Sequence, residues 1–274
     1  MNLLSSRLSR LLLVYFLFQS AWWIKLHTLG NLDSFEPYWF NISYGVIGLI
    51  GGLHGLSISK RWGGWSSMIG KSVLLLSFGL LSEWLAVTVW SFYNIVLKVE
   101  VPYPSIADLF YFAIIPLYSF AMISLANSAG AKFTLKRYKA KLNAILIPLG
   151  MLALAYYLFL KEGLEFTNSF VTFFDLGYPL GYAITLSIAI LTYFLTRSYL
   201  GGMMKTVVLF VLVAYLVQFT ADYGFLYTNL QGTYYNANWV DLLYAAALTV
   251  MSIAIIQFGN VANQMFKKGK QKHE

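Results

Sequence analysis

Eight apolar stretches follow one another along the 274 residues, at roughly 9–26, 40–58, 71–97, 106–126, 142–160, 170–195, 206–228 and 238–258. Each approaches or exceeds the roughly 20 residues that cross a bilayer's hydrocarbon as a helix. In that solvent each segment must pair its own backbone N–H and C=O groups, so the helix is the default. Charged residues make up only 11% of the chain; soluble domains carry about 25%. That is too little polar surface to cover a water-exposed globule. The expected fold is therefore all-α: a polytopic integral membrane protein of about eight transmembrane helices, forming one membrane domain. Arg7 and Arg10 precede an apolar run, as in a signal peptide. Gln19-Ser-Ala21 is followed by Trp22-Trp23, however, a poor cleavage context, so the first stretch is read as a mature helix.

The net charge of +8 is a topology signal more than a sign of nucleic acid, which is not expected as a partner. All Lys and Arg except Lys25, Lys98 and Lys161 fall at alternate connections or in the tail. By the positive-inside rule these basic connections and both termini face the cytoplasm of a cell-membrane protein. The 132–141 connection and the basic tail are also placed to touch anionic headgroups of the lipid bilayer. Trp22, Trp23, Trp39, Trp90 and Trp239 near outer ends, and Trp62 and Trp65 inside, read as aromatic belts. With no cysteine, disulfides, thiol chemistry and Cys-ligated metals are excluded.

Four short motifs recur at steps of 67, 67 and 66 residues: Asn41-Ile-Ser-Tyr44, Asp108-Leu-Phe-Tyr111, Asp175-Leu-Gly-Tyr178 and Asp241-Leu-Leu-Tyr244. A fixed period marks an internal repeat. Each motif opens a long apolar segment, so the chain reads as four helical hairpins. Arg61-Trp-Gly-Gly64 before Lys71 is echoed by Arg197-Ser-Tyr-Leu-Gly-Gly202 before Lys205. The plan is a tandem 4+4 duplication, with residues 1–130 and 131–274 as its two four-helix halves. An even helix number gives both halves one orientation, unlike the inverted repeats of many secondary transporters.

Ser105, Thr172 and Asn238 each stand three residues before a motif Asp, in a variant of the capping box. An acid in a first turn also suits the helix dipole. The tyrosine three residues on shares the acid's face, placed to bond the carboxylate or to sit at headgroup level. The structural reading is that the motif starts and seats the even-numbered helices. The functional reading is that Asp108, Asp175, Asp241 and Asn41 ring an outward pocket suited to a cation or amine.

Glu83 differs in lying near the middle of the third helix, about 18 Å from either end at 1.5 Å per residue. No Lys or Arg occupies a helix interior to pair with it, and a charge there costs at least about 2.5–3.5 kcal/mol. It must be protonated, hydrated or hydrogen-bonded across helices. Gln218 holds nearly the corresponding place in the seventh helix, with Asp222 and Tyr215 on the same face. Glu83, Gln218 and Asp222 are therefore expected to line one polar seam between the halves. His54 reads as a neutral histidine packed among helices, or as a proton relay. Gln19 reads as helix–helix glue. His-Glu-x-x-His, a phosphate-cradling Gly-Lys-Ser/Thr loop and a Gly-x-Ser-x-Gly elbow are all absent. No cofactor, metal site or catalytic residue is assigned, and the balance is against an enzyme.

The run Pro102-Tyr-Pro-Ser-Ile-Ala-Asp108-Leu-Phe-Tyr111, with Ile-Ile-Pro116-Leu after it, carries a resemblance. Asp175-Leu-Gly-Tyr-Pro179-Leu-Gly and Trp239-Val-Asp241-Leu-Leu-Tyr244 add to it. The chain resembles the polytopic membrane input regions that precede diguanylate cyclase and phosphodiesterase modules, and some histidine kinases, in bacteria. The resemblance implies a membrane sensory domain. Here the chain stops soon after the eighth helix, so such a sensor would work through a separate cytoplasmic protein partner. The first expectation is thus a stand-alone sensor or ligand-binding module, holding a small or lipophilic ligand or a cation on Glu83, Gln218 and Asp222. The second is a proton, cation or small-solute transporter or channel using Glu83. The third is a membrane-embedded lipid hydrolase with paired carboxylates.

Overall fold

A computed structural model describes residues 6–128, 138–161, 169–196 and 203–270. Among them are eight α-helices and no strand: α1 (Arg7–Thr28), α2 (Glu36–Arg61), α3 (Met68–Ser91), α4 (Ile106–Ser128), α5 (Tyr138–Ala155), α6 (Ser169–Thr196), α7 (Met203–Leu230) and α8 (Trp239–Lys270). One π-helical turn prolongs α3 over Phe92–Leu97 and another prolongs α5 over Tyr156–Leu160. Seven of these helices, α2 to α8, are long and apolar enough to cross a membrane. The eighth, α1, is not among them. Its 22 residues include Arg7, Arg10, Gln19, Lys25 and His27, which lower its mean hydropathy.

Local chemistry explains several boundaries. The Ser67 side chain accepts from the Gly70 N–H and starts α3. Ser105 accepts from the Ala107 N–H, while Asp108 reaches back to the Ser105 N–H at 2.7 Å, so α4 opens on the expected capping box. At α8, Asn238 accepts from the Val240 N–H at 2.8 Å. Two expectations fail here. α6 already begins at Ser169, so Thr172 lies inside its first turn and is no cap. Likewise α2 begins at Glu36, with Pro37 in its first turn, and Asn41 lies a turn deeper. The motif opens α4 and α8 but sits within α2 and α6.

Six helices close a ring in the order α2, α3, α4, α6, α7, α8, with α8 returning to α2. α1 docks outside, packing more on α8 than on α2, so it is not the simple hairpin partner expected. α5 packs on α6 and leaves most of its apolar surface outward. Glycines let the ring close tightly. A Cβ on Gly51 would lie 2.0 Å from the Ser252 hydroxyl of α8, and one on Gly79 would lie 2.1 Å from the Tyr118 ring of α4.

The ring has two distinct ends. At the aromatic end the Trp23 indole donates to the Asn238 carbonyl and the Trp90 indole to Asn236 Oδ1. Trp23 and Trp90 thereby bind the 231–238 connection, whereas Trp39 and Trp239 are exposed. At the opposite, basic end Trp62 donates to the Phe258 carbonyl, and Arg61 meets Asn263. Lys132, Lys136, Arg137 and the 197–202 run lie outside the described residues, as does Lys272.

Candidate functional site

The rarest side chains of the apolar helices meet inside the ring. The Gln218 amide of α7 donates to Glu83 Oε1 of α3 at 3.4 Å and to Asp222 Oδ1 at 3.2 Å. The i,i+4 spacing of Gln218 and Asp222 puts both on one face of α7. Tyr244 of α8 donates to Asp222 Oδ1 at 3.1 Å. Glu83, Gln218 and Asp222 are 1%, 8% and 4% exposed. The structure therefore brings these three residues together and adds a hydroxyl from α8.

The seam is unevenly satisfied. Asp222 gathers two donors, whereas Glu83 has one long bond and its Oε2 is buried with no partner. No ion pair reaches either acid among the described residues. Beside Gln218 and Asp222 lies a small, half-open and mostly apolar cavity of about 20 Å³, walled also by Ile114, Ile115, Tyr118, Leu186 and Phe219. That volume suits one water-sized particle. Tyr215 does not bond the acids; its hydroxyl donates to the Tyr118 carbonyl at 2.8 Å and its ring packs on Tyr118.

His54 does not join the seam. It is exposed on α2 and is not packed among the helices. Gln19 behaves as expected, donating to the Ser43 hydroxyl of α2 at 2.8 Å.

The repeated motif forms two separate pairs in place of one ring of charge. Between α4 and α6, Tyr178 donates to Asp108 Oδ1 at 2.9 Å and Tyr103 to Asp175 Oδ1 at 2.7 Å. Between α2 and α8, Asn41 donates to Asn236 Oδ1 and accepts from the Ala237 N–H, which also donates to Asp241 Oδ2. Tyr234 adds a bond to Asp241 Oδ1 at 3.2 Å. Burial first and the neighbouring Asp241 second push the Tyr234 hydroxyl's pKa well up, so it stays a donor. Burial and the bond to Asp175 do the same for Tyr103. Two motif tyrosines, Tyr178 and Tyr244, serve acids on neighbouring helices, not their own. Tyr244 reaches Asp222, and Tyr44 stacks on Tyr244 with ring centroids 6.4 Å apart. Tyr111 is half-buried and packs against both the main core and the Ile115–Phe174–Tyr178 cluster.

Tyr103, Tyr118, Tyr182, Thr185, Tyr234 and Asn236 were not singled out by sequence. A signal existed for Tyr182, one turn past Tyr178 on the same face, and for Tyr118, two turns past Tyr111.

The fold and site define a class: an all-helical chain, seven of whose described helices are fit to span a membrane, with a buried polar cluster inside a ring. No family model, curated protein or solved structure matches this chain.

Proposed function

We propose that this protein is a multi-pass membrane sensor or ligand-binding module that takes a small ligand or cation at Glu83, Gln218 and Asp222. One observation carries the reading: the 3.4 Å contact between Glu83 and Gln218, which joins α3 to α7 through a cluster with an unfilled hydrogen-bonding site. An intramembrane acid marks a functional site by default.

The proposed architecture is eight crossings in a tandem 4+4 repeat, divided near residue 130, with the basic end and both termini cytoplasmic. The ring supports it. α2, α3 and α4 follow one another as α6, α7 and α8 do, and the α4–α6 contact is answered by α8–α2. The motif position supports it too, being deep in α2 and α6 but two residues from the start of α4 and α8. Tyr103 on Asp175 and Asn236 on Asn41 are matching contacts of the two halves. A cytoplasmic partner at the basic end belongs to the same proposal.

Transport is disfavoured by what fills the ring beyond the cluster. Toward the basic end Leu76, Met122, Leu125, Val208 and Ile255 are fully buried and close-packed, a layer costly for an ion to cross. Lipid hydrolysis is disfavoured because Glu83 and Asp222 are both buried and do not hydrogen-bond each other directly. The test is proton and cation flux in proteoliposomes, comparing the native chain with Glu83→Gln. No flux is expected from either. Flux that the substitution abolishes would make the protein a transporter or channel.

A further inference from the structure

The pattern Arg61-Trp-Gly-Gly64 before Lys71 has no part in the buried cluster. It forms the turn between α2 and α3 at the basic end of the ring. We propose that this turn, through Lys60, Arg61, Trp65 and Lys71, seats the phosphate headgroup of an anionic phospholipid. The inference is independent of Glu83, Gln218 and Asp222.

Geometry comes first. The Ser59 hydroxyl donates to the Gly70 carbonyl at 2.7 Å, so Lys60 and Arg61 at the end of α2 flank Lys71 at the start of α3. The turn between them is tightly built. Gly63 and Gly64 take φ of +89° and +55°, and a Cβ on Gly70 would lie 2.6 Å from the Gly64 carbonyl oxygen. Its two tryptophans have different surroundings. Trp62 donates to the Phe258 carbonyl of α8 at 3.0 Å and holds the turn on the ring. Trp65 is 61% exposed, with the Lys71 ammonium 5.8 Å from its ring centre. Met68, three residues on, is 53% exposed.

Charge and polarity then select the ligand. Lys60, Arg61 and Lys71 enter no ion pair among the described residues, and no described Asp or Glu lies at this end. Arg61 spends one nitrogen on the neutral side chain of Asn263, which leaves further N–H donors of its fork. Three unpaired cations repel one another, and an anion between them relieves that repulsion. A forked guanidinium beside ammonium groups suits the several oxygens of a phosphate. A phosphate free in water would make no use of Trp65 and Met68. A lipid does, because α2 and α3 are both fit to span a membrane and their shared end falls where hydrocarbon meets headgroups. There an exposed tryptophan sits at headgroup level, with the acyl chains below it.

The test uses the full chain reconstituted in phosphatidylcholine vesicles, with brominated lipids as quenchers of tryptophan emission. The Trp65 share is the difference between each chain and the same chain carrying Trp65→Phe. Brominated phosphatidylglycerol is expected to quench that share at a mole fraction roughly tenfold lower than brominated phosphatidylcholine needs. Arg61→Gln and Lys71→Gln should each cut the preference about fivefold, the effect of one cation beside an anionic surface. Lys139→Gln, which removes an exposed cation at the start of α5, should leave it unchanged. Equal quenching of the native chain by both lipids overturns the proposal. So does a loss in Lys139→Gln as large as that in Arg61→Gln, which would mean diffuse attraction to the whole basic end. Inorganic phosphate at constant ionic strength should not displace the lipid. Displacement by it would make the ligand a free phosphate and overturn the lipid assignment. Folding of each variant is checked by size exclusion, and if Lys71→Gln does not fold, Arg61→Gln against Lys139→Gln decides. The preference is read without flux, so either outcome leaves the sensor reading to its own test.

Discussion

Tyr244 and Tyr44 occupy the same place in their motifs and stack on each other, yet only Tyr244 is drawn on by an acid. The difference is measurable. Tyr244→Phe removes one of two donors from a buried carboxyl group and is expected to cost about 1–3 kcal/mol, the range for leaving a buried polar group without its partner. Tyr44→Phe, with no such bond to lose, should cost clearly less than Tyr244→Phe. Thermal unfolding of both variants in one detergent checks the contrast, and equal losses would contradict the assignment of Tyr244 to Asp222. The same residues show what sequence can and cannot disclose. Glu83, Gln218 and Asp222 stood out because acids and amides are rare in apolar helices and expensive there. Tyr118 and Tyr182 did not, since the chain has 20 tyrosines and most are packing. His54 was misplaced because one histidine on a uniformly apolar helix carries no sign of which face is inward.

At the scale of elements, the glycines of α2 and α3 decide how closely the ring closes. Gly79 lies against Tyr118, whose carbonyl accepts from Tyr215. Gly79→Ala would drive a methyl into that ring, and overpacking of this sort costs about 1–3 kcal/mol. The expected result is a lower unfolding temperature together with weaker binding at the cluster, since α4 must move away from α3 and take one wall of the cavity with it. A stable variant with unaltered binding would show that the cavity does not depend on the α3–α4 approach. Helix existence was legible in the apolar runs, and every expected run lies on a described helix. Helix starts were less legible. A capping box is a local signal that holds at Ser105, but at Thr172 the helix already runs from Ser169. Packing partners were least legible, because periodicity within one helix says nothing about which neighbour it meets. α1 settles mainly on α8, the helix farthest from it in sequence.

For the whole molecule, the absence of cysteine makes orientation easy to measure. Single cysteines at Tyr235, in the aromatic-end connection, and at Lys60, at the basic end, are both exposed positions. In intact cells an impermeant maleimide should label Tyr235→Cys directly and Lys60→Cys only after permeabilisation. The reverse pattern would invert the proposed topology. α8 gives this orientation a mechanical meaning. It runs unbroken for 32 residues, about 48 Å at 1.5 Å per residue, against a hydrocarbon core of about 30 Å. Tyr244, near its first turn, touches Asp222, and Asn263, near its far end, touches Arg61 of α2. A helix hydrogen-bonded along its whole length behaves as a rod. On the proposed sensor reading, a tilt or rotation imposed at Tyr244 would be delivered along α8 to the Arg61–Asn263 contact, without any crossing of matter through the ring.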